Sequence, residues 1–83
     1  MELNIVCKPS AFKHGASESD IRWAFNTVRY DRFMEGNGNR YLLIGFDTRG
    51  NPLEVMYNDL GDQRVSVFHA MKCRNALLSL LDQ

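Results

Sequence analysis

Cysteine is scarce in this sequence, with two in 83 residues. They stand near opposite ends, at Cys7 and Cys73. With His14 and His69 they would complete a zinc ligand set, but no C-x2-C or H-x3–5-H pair is present, so the spacing of a zinc site is missing. In a reducing compartment both cysteines read as free thiols buried as small apolar groups; a disulfide stapling the termini is the other reading. Charge of one sign is also lacking. Ten Lys and Arg balance ten Asp and Glu. That excludes strong non-specific nucleic-acid binding through net charge, because such binding needs many phosphate contacts. A local basic face stays open, since only the arrangement of charge decides it. No apolar run approaches the roughly 20 residues of a membrane-spanning helix. The opening "MELNIVCKPS" has no basic flank followed by an apolar stretch, so it does not read as a secretory signal. A cytoplasmic protein with no membrane partner is the expectation. The sequence contains no G-x-x-x-x-G-K-[ST] phosphate loop, no G-x-G-x-x-G, no internal repeat and no low-complexity linker.

What is present reads as one domain over residues 1–83, with 45% apolar residues. "LNIVC" is a short strand or an irregular lead-in before Pro9, which bars helix continuity there. "SESDIRWAFNTV" is an amphipathic helix over residues 17–29. Ser17 is its N-cap, and Asp20, three positions on, completes a capping box. Ile21, Ala24, Phe25 and Val28 fall on one face at i, i+3, i+4 and i+7, with Trp23 at the boundary. "GNGN" at 36–39 is a turn, and Tyr30 to Phe33 supplies an optional strand. From residue 40 the period changes to two. "RYLLIGFD", "LEVMYN" and "RVSVFHAM" read as strands joined by short loops, hence antiparallel. Both faces of these strands carry apolar residues, so the sheet is partly covered on each. "RNALLSLL" is a short terminal helix. The expected fold is α+β: an N-terminal helix, a three- to four-stranded antiparallel sheet and a short C-terminal helix.

Four short motifs come in a telling order. Lys13-His14-Gly15 precedes the capped helix. Arg40 opens a strand that ends Ile44-Gly45. Gly50 lies in a turn before "LEVMY". Arg64 opens a strand that closes "FHAMKCR". Over residues 12–75 this pattern resembles the BrnT-like toxins of bacterial type II toxin–antitoxin systems, which have a RelE/ParE-type fold. The resemblance implies a metal-independent endoribonuclease without a cofactor. It also implies an antitoxin encoded nearby, with a homo-oligomer or a toxin–antitoxin hetero-oligomer both open. Typical members end the last strand Ser-Ala-Arg, where this chain has His69, followed by Lys72 and Arg74.

Metal-free RNA cleavage needs a base for the 2′-hydroxyl proton, an acid for the leaving 5′-oxygen, and cations for the charge that gathers on phosphate. Histidine, with an unperturbed pKa of about 6.5, serves the first two tasks. Arg and Lys serve the third, Arg through paired hydrogen bonds. The expected catalytic set is therefore His14, His69, Arg40 and Arg64, with Lys13, Lys72 and Arg74 binding substrate. Each also has a plainer reading. His14 fits a helix-entry loop, and His69 fits a half-buried strand position beyond Val65 and Val67. Arg40 and Arg64 fit charges at strand starts, and Lys72 and Arg74 fit an exposed approach to a helix. For Tyr30, Tyr41 and Tyr57 the sequence does not choose between packing and RNA contact. Two other functions suit the same resemblance: a non-catalytic RelE/ParE-fold module that inhibits a protein target such as DNA gyrase, and an inactive family member.

Overall fold

The computed structural model describes residues 3–36 and 38–82; Asn37, within the expected turn at 36–39, lies outside them. The chain starts with a strand. In β1, Asn4–Cys7, Ile5 is buried while Val6 next to it is 49% exposed, the alternation a strand imposes. Pro9 then opens a 3₁₀ turn, Pro9–Phe12, where its missing N–H goes unneeded. Next come α1 (Glu18–Asn26), β2 (Tyr30–Phe33), β3 (Tyr41–Phe46), β4 (Pro52–Gly61) and β5 (Arg64–Lys72). A helical turn, α2 (Asn75–Leu78), runs into a second 3₁₀ turn at Ser79–Asp82.

The sheet is five-stranded, in the order β1-β5-β4-β3-β2. β2, β3, β4 and β5 are antiparallel neighbours, but β1 pairs with β5 in parallel, Asn4 opposite Arg64 through Cys7 opposite Val67. This corrects the expected α+β arrangement of a leading helix and a three- to four-stranded antiparallel sheet: the sheet is larger, and it is mixed. The difference is physical. A parallel pair needs a long crossover, and here almost the whole domain supplies it.

The helix expected at 17–29 is shorter at its C-terminal end. The Thr27 hydroxyl donates to the Trp23 carbonyl (2.8 Å) and accepts from the Phe46 amide (3.0 Å), which diverts the chain into β2. Val28, placed on the buried face by its spacing, is instead 43% exposed. At the other end the capping box is intact: the Ser17 hydroxyl accepts from the Asp20 amide, and the Asp20 carboxylate accepts from the Ser17 amide. Asp20 also accepts from the Thr48 amide (3.0 Å) and hydroxyl (2.7 Å), fastening α1 to the β3–β4 turn. Ile21 and Ala24 press onto one face of the sheet, where Leu43, Leu53, Val55, Tyr57, Val65, Val67 and Ala70 form the core. Gly45 permits that contact. A Cβ built there would lie 2.9 Å from the Ala24 Cα and carbonyl carbon, closer than side chains approach. Tyr57 stacks on Tyr41 (5.2 Å between ring centroids) and meets the Phe25 ring edge-on, so both tyrosines are packing residues on this face.

The second face carries Leu42 and Ile44 of β3, Glu54 and Met56 of β4, and Ser66 and Met71 of β5, as alternation requires. The terminal segment shields part of it. Leu77, Leu78, Leu80 and Leu81 are half-buried, and Leu80 lines a small pocket with residues 28–32.

Candidate active site

An irregularity in β5 shapes the second face. Val67 lies opposite Tyr57, but His69 lies opposite Met56, so Phe68 is an extra residue with no partner on β4. Such an insertion breaks the alternation. Phe68 and His69 consequently share the face that carries Glu54 and Met56, while Ala70 returns to the core.

Glu54 is the centre of this arrangement. It is 0% exposed, near the start of β4 between Leu53 and Val55. Its carboxylate accepts from the Arg74 backbone amide (3.0 Å), Arg74 Nε (3.0 Å) and Arg74 Nη2 (2.8 Å). It also lies 2.8 Å from His69 Nε2. Burial pushes the Glu54 carboxyl up, but hydrogen bonds from the Arg74 side chain and amide and from His69 outweigh it and leave the net shift downward. Glu54 is thus a carboxylate at neutral pH and can only accept. His69 Nε2 must then carry a proton and donate it in the hydrogen bond, which leaves Nδ1 as the ring's other nitrogen, on a side chain 20% exposed. The Arg74 guanidinium is 53% exposed, and two of its nitrogens are committed to Glu54. Its other N–H groups are not engaged by Glu54.

His14 arrives from the N-terminal side. Beyond Cys7 the chain stays beside β5: the Lys8 amide donates to the Val67 carbonyl (2.8 Å), and the Ser10 hydroxyl donates to the Phe68 carbonyl (2.7 Å). Gly15 then turns the chain with φ +90°, a conformation open chiefly to glycine. The turn sets the His14 ring 5.5 Å from the His69 ring, inclined at 65°. Residues 55 positions apart in the chain thus become neighbours. His14 and Lys72 share a cleft of about 170 Å3 with Asp20, Asp47 and Leu53.

The expected site residues divide into three groups. His14, His69 and Arg74 come together, with Lys72 at their margin and Lys13, exposed, next to His14 in the chain. Arg40 lies one residue along: its guanidinium carbon is 5.5 Å from the centre of the Phe68 ring. Arg64 opens β5 at the far end, roughly 15 Å along the strand from His69, beside Gly61 and Asn4. Glu54 was not among the expected residues. Its signal was there: an acid within a strand, on a sheet apolar on both faces, must find a cationic partner or a hydrogen-bond donor. A larger cavity of about 460 Å3 lies away from this cluster. It is lined by Phe25, Leu43, Tyr57, Asp31, Asp59 and Asp62 among others. Among the described residues, no helix is long and apolar enough to cross a membrane.

No family model matches the sequence, and no curated protein matches it. The fold does have a solved counterpart. The chain is similar in structure to the Brucella abortus ribonuclease toxin BrnT, with a TM-score of 0.61 over 89% of this chain and 100% of that one. Sequence identity is 15%, so the likeness is one of fold.

Proposed function

We propose that this protein is the toxin of a toxin–antitoxin pair and that it cuts RNA without a metal ion, by proton transfer through His14 and His69. The observation that carries the proposal is the 5.5 Å approach of the chain's two imidazoles beside the buried Glu54 carboxylate and its exposed partner Arg74. The fold shared with a ribonuclease toxin supports it. One imidazole takes the 2′-hydroxyl proton as the 2′-oxygen attacks phosphorus. The other, protonated, gives its proton to the departing 5′-oxygen. The products are a 2′,3′-cyclic phosphate and a free 5′-hydroxyl, so atoms and charge balance. Glu54 holds the proton of His69 on Nε2 and leaves Nδ1 as the atom of exchange. It is a positioning residue. Arg74, Lys72 and Lys13 supply cations for the phosphate. The same cationic rim suits an acidic segment of an antitoxin.

The test is incubation of purified protein with single-stranded RNA in EDTA. Cleavage leaving cyclic phosphate ends is expected, and His14→Ala or His69→Ala should slow it by about 10²- to 10⁴-fold while the protein stays folded. Full activity in both variants would exclude the imidazole pair. Intact RNA together with tight capture of a protein target would favour the non-catalytic module.

A further inference from the structure

The strand irregularity that brings Phe68 onto the face of His69 also builds a surface that proton transfer does not use. Arg40, at the entry to β3, extends across the second face, and its guanidinium carbon lies 5.5 Å from the centre of the Phe68 ring. Arg40 is exposed and Phe68 is half-buried. An exposed arginine thus lies over a half-buried ring. A cation over an aromatic ring is attracted to its π-face, which favours keeping the Arg40 guanidinium over Phe68. Arg40, Phe68, His69 and His14 succeed one another across the face.

We propose that Arg40, backed by Phe68, is a stacking platform for an unpaired nucleobase next to the phosphate held at the imidazoles. This rests on the RNA-cleaving reading above and names a further subsite of it. Three features favour a base over another ligand. Guanidinium planes and aromatic rings are the groups on which splayed single-stranded bases stack. The platform's charge suits the adjoining phosphate backbone. Its place beside His69, one residue away in the chain, matches a base joined to the phosphate through a single sugar. A stacking platform of this kind accepts every base with little distinction, because every base has a π-face.

The experiment separates this subsite from the catalytic proposal. In a His14→Ala background, which removes one member of the imidazole pair, fluorescence anisotropy measures binding of a labelled single-stranded RNA octamer and of a matched octamer with abasic residues. Arg40→Gln should weaken binding of the normal octamer roughly 5- to 100-fold, as expected for the loss of a stacked base. It should change abasic binding far less. Arg40→Lys, which keeps the charge and loses the plane, should behave like Arg40→Gln. Phe68→Leu should weaken the normal octamer to a smaller degree, and circular dichroism checks its folding. Equal losses for normal and abasic strands, full affinity in Arg40→Lys, or no binding of the octamer by the His14→Ala protein would each overturn the platform. Base-dependent, Arg40-dependent binding by a protein that never cleaves RNA would uphold the platform and reject the catalytic reading. Cleavage whose KM is the same in Arg40→Gln as in the parent would do the reverse.

Discussion

Glu54 Oε2 and His69 Nε2 are 2.8 Å apart, joining a fully buried carboxylate on β4 to a half-buried imidazole on β5. The pair is diagonal across the two strands, because His69 lies opposite Met56 and Glu54 opposite Met71. Without the extra residue at Phe68, His69 would face the core, where Ala70 now lies.

Glu54→Gln keeps the shape and removes the charge. It should lower RNA cleavage at least tenfold and shift the pH–rate profile, because the amide can present either a donor or an acceptor to His69 and no longer fixes its tautomer. Stability should fall by about 1–3 kcal/mol in urea unfolding. Loss of stability with an unchanged pH profile would make Glu54 purely structural.

Asp20 gives a pH dependence with a definite sign. The amide and hydroxyl of Thr48, then the Ser17 amide, hold its carboxyl well below the usual range. A carboxyl lowered in the folded state stabilises the protein above its unfolded pKa of about 3.9, and that contribution is lost as pH falls further. The urea midpoint of the parent should therefore drop from about pH 4.5 downward. Asp20→Asn should be less stable by about 1 kcal/mol at pH 7 and should show less of that acid-side loss.

Gly45→Ala tests the contact between α1 and β3. The new methyl would meet the Ala24 backbone, which cannot move without lifting α1 from the core. A loss of about 1–3 kcal/mol is expected in thermal or chemical unfolding. An unchanged melting temperature would mean that the helix rides higher on the sheet than described.

Burial first, and then the Glu54 carboxylate, pushes the Cys73 thiol up. Burial and Glu18 do the same for Cys7. Both thiols should react slowly with a disulfide reagent at pH 7.5 in the native protein and quickly in urea, since the thiolate is the reactive form.

Local chemistry was legible in the sequence. The Ser17–Asp20 capping box depends on four consecutive residues, and both of its hydrogen bonds are present. The periods of β3, of β4 over Leu53 to Tyr57, and of β5 up to Val67 were legible for the same reason, since alternation is a nearest-neighbour property; beyond Val67 the expected faces of His69 and Ala70 are exchanged. What depended on distant segments was not legible. The pairing of β1 with β5 cannot be inferred from four residues of β1, and Val28 left the helix face because Thr27 found the Phe46 amide on another strand. The neighbouring positions of His14 and His69 follow from that same β1 pairing. The extra residue at Phe68 looks like ordinary alternation until β4 lies beside it.

The parallel seam between β1 and β5 also has a consequence in time. Its partners are residues 4–7 and residues 64–67, so the sheet closes across nearly its whole length, a slow kind of closure. During synthesis His14 leaves the ribosome long before His69 and Arg74 exist. A growing or truncated chain that stops short of β5 therefore carries no paired imidazoles. The constellation is complete only once β5 and Arg74 have joined the fold.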